Sequence, residues 1–477
     1  MSEPPIIPTP QHPNTPSKDY GSYSFWLETS GDDLTPRAPL DGSTEVDVAI
    51  VGAGFTGLWT AYHLLRRDPS LQVLVVERDI AGFGASGRNG GWCFSGFPKE
   101  PSKLISRYGR EAARAVSLAM IDSVDDVGRV CREEGIDAHY AHGGELEIAR
   151  AAYDLPKLEE MAAEYRSIGL EDRVELLDAA QTAERIRVNG AVGAFWNKDG
   201  AAVQPARLAR GLARAVERHG GRIVEQTTVT DYAGGSPPML VTDRGVVRAR
   251  RAIVLAGEAY LSRLPKLRRH IIPMTSHIVV TEPLSPENWR EIDWGRREVV
   301  GGFGSTGGYL NHTADGRIAF GAYRARYPRN SRITDDLDRM EDVFAHARNA
   351  ARVWFPSLRE VSFTHAWGGV FGVPRDHMPT MGFNPRTGVA LAFGYTGEGV
   401  ATSNLSGRVL ADLLTETDSP LTHLPMTDHQ PAIWEPEPLR SLGVNLMRRA
   451  RYKEIEKVER TGRYSARPPL LTRLLDW

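Results

Sequence analysis

The sequence is poor in cysteine and has no excess of basic residues. Its 477 residues include only Cys93 and Cys131, which lie far apart and without C-x-x-C spacing. A disulfide framework or a thiolate zinc site is therefore not expected, and a reducing compartment fits. The 58 Lys and Arg residues are balanced by 60 Asp and Glu, so the formal net charge is −2 and nucleic acid is not an expected partner.

Long apolar runs and metal-binding patterns are also missing. No window approaches the roughly 18 consecutive apolar residues of a membrane-spanning helix, and no basic stretch followed by an apolar run opens the chain. We therefore expect a cytoplasmic protein without a membrane partner. No set of His, Asp and Glu residues has the spacing of metal ligands, so no metal site is predicted. The oligomeric state is left open.

The length favours two core-bearing units flanked by two terminal segments. A chain of 477 residues exceeds the size at which one hydrophobic core usually keeps growing. Residues 1–45 begin with six prolines in 16 positions and resemble an arm, with the aromatic residues Tyr20, Tyr23, Phe25 and Trp26 as its anchor. Residues 426–477 contain the charged periodic stretch RRARYKEIEKVER, which predicts a helical tail.

A β-α-β unit begins at Val46 and carries a nucleotide-binding motif. The apolar run VDVAIV is followed by a glycine turn at Gly52, Gly54 and Gly57, then by a helical stretch to Arg67 and a second apolar run that ends at Glu77. Glycines at this spacing let a backbone approach a pyrophosphate at the helix N-terminus, and the acid can accept hydrogen bonds from ribose hydroxyls. The pattern predicts a dinucleotide site. The alternative interpretation is an ordinary glycine-rich turn beside a solvated Glu77.

Two further glycine-rich loops favour FAD over NAD. Residues 82–91, GFGASGRNGG, follow the second strand and are well placed to wrap a longer ligand. Residues 394–403, GYTGEGVATS, form another strand-to-helix turn, whose helix N-terminus can present N–H groups to the anionic edge of a reduced flavin. Either loop alone could be an ordinary helix-start turn. Together they favour a flavin.

These motifs resemble the D-amino-acid-oxidase-like FAD-dependent oxidoreductases, which include glycine, sarcosine and gamma-glutamylputrescine oxidases. The resemblance spans most of the chain, and ASGRNGG with SYSFWLET is most similar to the gamma-glutamylputrescine oxidase branch. The motifs that carry it are VDVAIVGAGFTGL with Glu77, ASGRNGG, TTVTDY with AIVLAGEAY, YLNHTADGRIAFG, WGGVFGVPRDHMPTMG and FGYTGEGVATS.

The resemblance implies an α/β fold with two discontinuous domains. A Rossmann-like FAD-binding domain of the glutathione-reductase type is expected over residues 46–105, 190–265 and 365–425. A mixed-sheet α+β substrate domain is expected over residues 106–189 and 266–364.

The resemblance also implies a set of cofactor-binding residues. By position, Val229 is expected at the adenine, Ala256 and Gly257 beside the pyrophosphate, and the helix from Gly397 at the flavin ring. Because Gly308 stands where sarcosine oxidases carry the cysteine that attaches flavin, we expect non-covalent FAD. The full predicted set is Gly52, Gly54, Phe55, Thr56, Gly57, Glu77, Arg78, Ala85, Ser86, Arg88, Asn89, Gly90, Gly91, Val229, Ala256, Gly257, Gly372, Gly397, Glu398, Gly399 and Val400.

Departures from the family pattern point to an amine substrate. Thr313 and Phe371 stand where amino-acid-oxidising relatives place arginines that hold the substrate carboxylate. Since arginine is the usual partner of a buried carboxylate, their loss favours an amine without an α-carboxylate. We expect its oxidation to an imine and aldehyde with oxygen as acceptor. A dehydrogenase that reduces a quinone or carrier, and a non-catalytic FAD-binding subunit, stay open as alternatives.

Three residues are candidates for catalysis. Arg88 lies in the second glycine-rich loop and could place positive charge near the flavin, or could form a salt bridge between domains. His277 lies in the β-branched run SHIVV, one face of which could meet the flavin, although a core histidine is the alternative. Tyr309 matches the hairpin tyrosine of the family, whereas His312 is expected at the surface.

Overall fold

The computed structural model describes residues 18–464, which form eighteen strands and eleven α-helices. The strands are β1 (Thr44–Val51), β2 (Val73–Val76), β3 (Trp92–Phe94), β4 (Glu145–Ala149), β5 (Val174–Asp178), β6 (Gly193–Asn197), β7 (Gly200–Ala202), β8 (Arg222–Val224), β9 (Val229–Ala233), β10 (Met239–Thr242), β11 (Gly245–Leu255), β12 (Ile271–Thr281), β13 (Val299–Gly302), β14 (Gly308–His312), β15 (Ile318–Ala322), β16 (Phe363–Pro374), β17 (Thr380–Asn384) and β18 (Val389–Phe393). The helices are α1 (Phe25–Glu28), α2 (Phe55–Arg67), α3 (Pro101–Tyr108), α4 (Arg110–Glu133), α5 (Leu155–Ser167), α6 (Ala179–Ala183), α7 (Pro205–Arg218), α8 (Pro286–Ile292), α9 (Glu341–Trp354), α10 (Gly399–Leu414) and α11 (Leu439–Thr461).

The first large sheet contains the β-α-β unit that the sequence predicts. Its strand order is β17-β18-β11-β1-β2-β8, with β10 pairing to β11 and β9 to β10. The central pairs, β18 with β11, β11 with β1, β1 with β2 and β2 with β8, are all parallel. This is the Rossmann-like FAD-binding architecture that the resemblance implies, and the prediction is confirmed.

Burial on both faces explains why β1 and β2 are nearly continuous apolar runs. In β1, Val48 and Ile50 pack into the core beneath α2 and α10, whereas Val46 and Ala49 face a second core on the opposite side. All four residues of β2 are buried. Parallel strands covered on both faces read as unbroken hydrophobic segments, and this sheet shows that pattern.

The second large sheet is mixed, as expected for the substrate domain. Its strand order is β16-β12-β15-β14-β13-β4-β6-β5, and only the β13–β4 pair is parallel. Helix α9 packs against one face through Phe344, Ala347 and Trp354. The opposite face turns toward the first sheet and forms one wall of a large cavity.

Three segments lie in a different unit from the one expected from the sequence. Strand β6 falls in the range 190–265 expected for the FAD-binding domain, but it pairs with β4 and β5 in the second sheet. Strand β16 similarly pairs with β12 instead of joining the first sheet. Helix α4 falls in the range 106–189, yet it packs with α2 and α10 in the first core. Local patterns predict strands and helices, whereas their partners are set by tertiary contacts.

The terminal segments pack onto the two units. Tyr20, Phe25 and Trp26, from the predicted arm, are buried in a cluster with Phe83 of the glycine-rich loop and Trp367 of β16. Helix α11 matches the predicted helical tail and packs through Val444 and Met447 against β12 and β16. Residues 1–17 of the arm and 465–477 of the tail lie outside the described residues. Within 18–464, no helix combines the length and apolar character needed to cross a bilayer.

Candidate functional site

The turn after β1 is shaped for close approach of a ligand to the backbone. Gly52 has a φ of +95°, a conformation that favours glycine. A Cβ at Gly57 would lie 1.9 Å from the carbonyl oxygen of Gly52, so no larger residue fits there. Gly54 caps helix α2 without a side-chain hydrogen bond. The positive end of a thirteen-residue helix therefore faces the cavity, as a pyrophosphate site requires.

Glu77 follows β2 directly, and its carboxylate is held at the edge of this turn. Its oxygens accept hydrogen bonds from the N–H groups of Ala53 at 2.8 Å and Asp79 at 2.9 Å. Burial nonetheless raises the pKa of Glu77 to about 7, against the opposing effect of these two hydrogen bonds. Hydroxyl donors from a ribose would supply the further stabilisation that the buried carboxylate lacks.

Residues 82–91, the flavin loop, are held rigidly beside the glycine turn. The Ser86 hydroxyl accepts a hydrogen bond from the Phe55 N–H at 2.7 Å, and Asn89 accepts one from the Gly91 N–H at 2.7 Å. Two tryptophans bind the loop from outside. Trp26 donates its indole N–H to the Asn89 carbonyl and Trp367 donates to the Arg88 carbonyl, both at 2.8 Å.

Arg88 lines the cavity but its charge is already paired. Its guanidinium donates to Asp338 at 2.6 Å and to the Gly368 carbonyl at 3.3 Å, and it lies 4.8 Å above the Phe83 ring. The side chain of Arg88 is 2% exposed. The structure therefore shows the salt bridge between the two units that the sequence left as an alternative to a role at the flavin.

The other two catalytic candidates lie on opposite sides of the second sheet. Tyr309 lines the cavity, is hydrogen-bonded to the Ser276 hydroxyl, and has its pKa raised to about 12 by burial. His277 does not line the cavity. Its neighbours Ser276 and Ile278 do, and because side chains alternate along β12, His277 lies on the opposite face. There its ring packs 5.6 Å from that of Phe344 in α9, and its Nε2 contacts the carbonyl of Leu337, which precedes that helix, at 2.8 Å. It is a core histidine.

His312 and Thr313 are also remote from the cavity. His312 is half-buried, with its ring stacked on Trp289 at a centroid distance of 4.0 Å. The Thr313 hydroxyl donates to Asp315 at 2.6 Å and accepts from the Arg317 N–H at 2.9 Å inside the β14–β15 turn. The identity of residue 313 therefore carries no information about the substrate charge. Phe371, in contrast, lines the cavity.

The third predicted loop ends at a helix that points into the same cavity. Gly397 has a φ of +99° and precedes α10, a helix of sixteen residues that begins at Gly399. Glu398 makes no side-chain capping hydrogen bond, and Gly397, Gly399 and Val400 line the cavity with it, so the N-terminal end of α10 is open to the cavity. This end of α10 can stabilise negative charge at a flavin ring.

Most of the predicted cofactor residues meet in one cavity of about 970 Å³. Those that line it are Gly52, Gly54, Phe55, Thr56, Glu77, Arg78, Ala85, Ser86, Arg88, Asn89, Gly90, Val229, Ala256, Gly257, Gly397, Glu398, Gly399 and Val400. Gly57, Gly91 and Gly372 do not line it but permit close packing. A Cβ at Gly372, for example, would lie 2.2 Å from the Oε2 atom of Glu258. The Oε1 atom of the same carboxylate accepts hydrogen bonds from the N–H groups of Gly394 and Tyr395.

The cavity also has an acidic wall that was not predicted from the sequence. Glu145 and Glu147 of β4 line it together with Phe195 and Tyr323 from the second sheet. The alternation in ELEIA was a visible signal, because it puts both acids on one face and Leu146 and Ile148 on the other. No local pattern indicates that the acidic face meets the ligand. Among residues 18–464, no three His, Cys, Asp or Glu side chains are arranged to hold a metal ion.

The glycine cradle, the buried acid at Glu77 and the two inward helix ends fit FAD. The model of the DAO family, described as FAD dependent oxidoreductase, matches residues 47–413. The gamma-glutamylputrescine oxidoreductase of Escherichia coli is 31% identical over 82% of this chain and 88% of its own length. The glycine oxidase structure from Geobacillus kaustophilus has a TM-score of 0.67 at 22% identity, covering 81% of this chain and 99% of that one. The chain therefore belongs to the DAO family of FAD-dependent oxidoreductases.

Proposed function

We propose that this FAD-dependent enzyme oxidises a primary or secondary amine that has no carboxylate next to the nitrogen. An acyl-capped diamine of the gamma-glutamylputrescine type is the model substrate. The observation that carries the proposal is the wall of the cavity formed by the second sheet, which is aromatic and acidic and offers no arginine to a carboxylate. The Escherichia coli relative, a gamma-glutamylputrescine oxidoreductase, supports the same substrate class.

Four cations of the described part of the chain line the cavity, Arg78, Arg88, Lys99 and Arg263, and each already has an interaction partner. Arg78 pairs with Asp79 at 2.6 Å and Arg88 with Asp338 at 2.6 Å. Arg263 lies over the Tyr260 ring at 5.1 Å and donates to the Ile333 carbonyl. A carboxylate next to the reacting nitrogen would have to break one of these interactions or remain unpaired, which costs about 2–5 kcal/mol when the group is buried. An amine without that group avoids the cost.

The chain's residues would orient the amine and keep water away from it. The bound flavin supplies the redox chemistry, accepting a hydride from the carbon next to the nitrogen. Ile278, Val370 and Phe371 give the cavity an apolar wall, which favours the neutral form of the amine by excluding water. The N-terminus of α10 places partial positive charge where negative charge develops. Neither cysteine lines the cavity, which supports non-covalent attachment of FAD.

The overall reaction yields an imine, which water hydrolyses to an aldehyde and ammonia or a second amine. The two electrons pass to oxygen, which becomes hydrogen peroxide. Membership of the family favours an enzyme over the non-catalytic subunit that the sequence left open. A dehydrogenase that uses a quinone or carrier differs from this proposal only in the acceptor.

The test is an anaerobic screen in which amines are mixed with the FAD-loaded enzyme and bleaching of the visible flavin band is followed. We expect acyl-capped diamines and simple amines to reduce the flavin faster than glycine, sarcosine or D-alanine, by roughly thirty-fold or more. Admitting air should then restore the band and release hydrogen peroxide. Fastest bleaching by a small α-amino acid would overturn the substrate class. Slow recovery in air but fast recovery with a dye would identify a dehydrogenase.

A further inference from the structure

Two glutamates of β4 project from the same face of the strand into the substrate side of the cavity. Glu145 and Glu147 both line it, whereas Leu146 and Ile148 between and beyond them pack into the core beneath the second sheet. Gly301, on the neighbouring strand β13, makes room for the second carboxylate. A Cβ at that position would lie 2.1 Å from an Oε atom of Glu147.

No cation of residues 18–464 neutralises these carboxylates. Glu145 is 6% exposed, and its side chain accepts one hydrogen bond, from the Asn197 amide at 3.2 Å. Glu147 has neither a hydrogen bond nor an ion pair through its side chain with any described residue. Glu398, at the start of α10, has a buried Oε2 atom with no hydrogen-bond partner. Burying acids without a counter-charge is costly, so a missing cationic partner is indicated.

The electrostatic effects on these acids point the same way. Burial raises the pKa of Glu145 to about 7, and burial together with the charge of Glu145 raises the pKa of Glu147 well above its ordinary value. Burial, followed by repulsion from Glu145 and Glu100, raises the pKa of Glu398 to about 8. A cation placed among them would relieve both the burial penalty and the mutual repulsion.

Aromatic rings beside the acids provide a second, independent indication of a cationic ligand. The Tyr309 ring lies 5.9 Å from Tyr323 and 6.4 Å from Trp92 between ring centroids, and all three residues line the cavity. Tyr323 is 49% exposed and faces the open cavity, and desolvation together with the nearby charge of Glu147 raises the pKa of its hydroxyl well above the ordinary value. The negative faces of such rings attract ammonium groups, most strongly where water is excluded.

We propose that Glu145 and Glu147, together with Trp92, Tyr309 and Tyr323, bind a second cationic group of the substrate that is not itself oxidised. This inference rests on the amine oxidation proposed above and narrows it to substrates with two nitrogen centres, one reacting and one recognised. A diamine, or a capped diamine whose cap carries an ammonium group, meets the requirement.

The Glu147→Gln variant also distinguishes cation binding from a second use of these acids, in which they bind a neutral group. If they stay protonated with ligand bound, they would donate hydrogen bonds to a neutral acceptor instead of pairing with a cation. Glu147→Gln keeps a hydrogen-bond donor of the same size but removes the charge. It should therefore weaken binding of a dication, and it should leave binding of a neutral acceptor nearly intact.

The experiment compares diamines with monoamines of the same carbon chain on the FAD-loaded enzyme under argon. Stopped-flow absorbance follows flavin reduction, and the dependence of its rate on ligand concentration gives the Kd of each ligand that reacts. Calorimetry gives the Kd of each ligand that does not reduce the flavin. We expect the diamine to bind roughly ten- to hundred-fold more tightly than its monoamine, and Glu147→Gln to remove most of that preference. Glu175→Gln, at an exposed glutamate of β5 in the same sheet, is the matched control and should retain the preference. The visible flavin spectrum confirms that each variant is loaded.

The two proposals fail in different ways. Equal Kd values for the diamine and the monoamine in the wild type would overturn the second-cation site, even if both ligands reduce the flavin. A preference that Glu147→Gln and Glu145→Gln leave intact would overturn its assignment to β4. Preferential diamine binding without flavin reduction by any amine would support the site but contradict amine oxidation.

Discussion

At the scale of single residues, Glu77 shows how the site is poised for its cofactor. Two backbone N–H groups already hold its carboxylate, yet burial keeps its pKa raised to about 7. The carboxylate is therefore pre-oriented but incompletely stabilised. A ligand whose hydroxyl groups donate hydrogen bonds to this carboxylate therefore binds more tightly.

Replacing this side chain should weaken FAD binding. We expect Glu77→Ala to raise the Kd of FAD by roughly ten- to hundred-fold, since a hydrogen bond to a charged group is worth about 1.5–3 kcal/mol. Fluorescence titration of the apoprotein with FAD measures this change. Glu45→Ala, at an exposed position near the start of β1, is the control and should bind FAD like the wild type.

The affinity for FAD should also depend on pH, in a direction set by the ionisation of Glu77. Hydroxyl donors favour the ionised form, so bound FAD should lower the pKa of Glu77 from its value of about 7. Affinity should therefore be full above pH 7 and fall as the pH drops through that value. Glu77→Ala should flatten this dependence. An unchanged Kd in Glu77→Ala would contradict the placement of the ribose at this residue.

How far single residues can be predicted depends on whether their role is local. Gly52, Gly54 and Glu77 belong to one β-α-β unit, in which sequence spacing alone fixes their relative places. His277 was a plausible candidate because its strand does border the cavity, but the face on which it lies depends on the pairing of β12 with β15 and β16. Glu145 and Glu147 were missed for the same reason.

At the scale of elements, the described part of the N-terminal arm packs against the flavin loop and holds it in place. Trp26 of α1 is 1% exposed and donates its indole N–H to the Asn89 carbonyl. Its own carbonyl accepts a hydrogen bond from Gln204 at the start of α7, at 2.7 Å. The ring also packs edge-on against Trp367, which holds the loop from the other side.

Removing the Trp26 side chain should destabilise the protein and increase the rate of FAD release. We expect Trp26→Ala to lower the free energy of unfolding by about 3–5 kcal/mol, the usual cost of truncating a buried tryptophan. Trp26→Phe keeps most of the packing but loses the hydrogen bond to Asn89, so its FAD dissociation should quicken with a smaller loss of stability. Denaturant unfolding and the rate of FAD release measure the two effects.

The control for this prediction lies on the other terminal element. Leu442 of α11 is 67% exposed, so Leu442→Ala should change neither stability nor FAD release appreciably. If Trp26→Ala unfolded at the wild-type denaturant concentration, the arm would be an appendage without a structural role.

The positions of helices and strands were predicted more accurately than the elements with which they pair or pack. Apolar residues at helical spacing mark α4 and α5 in the sequence alone, because this periodicity is a property of the chain itself. The assignment of β6 and β16 to the FAD-binding unit differed from the observed pairing. Strand β6 lies between β4 and β5 and has five residues, whereas β16 has twelve and forms an edge of the same sheet. Neither strand carries a local pattern that specifies its partner, which is chosen by contacts distant in sequence.

At the scale of the whole molecule, the cavity lies between the two sheets, and several buried polar contacts join the two units beside the flavin loop. The Arg88–Asp338 ion pair is one of these contacts, with side-chain exposures of 2% and 16%. It ties the flavin loop of the first unit to the segment that precedes α9 in the second. Burial opposes the ionised form of Asp338 and raises its pKa, while the charge of Arg88 acts in the opposite direction.

Breaking this pair should therefore affect both stability and the cofactor. Asp338→Asn leaves the Arg88 charge buried without a counter-charge, and we expect a loss of about 3–5 kcal/mol in the free energy of unfolding. The double variant Arg88→Met/Asp338→Asn should recover part of that loss, because no unpaired charge remains. Asp336→Asn, at an exposed acid two residues away, should resemble the wild type. Denaturant unfolding of the FAD-loaded proteins tests all three. A single variant Asp338→Asn as stable as Asp336→Asn would show that water or another group compensates Arg88, and that the two units are held together elsewhere.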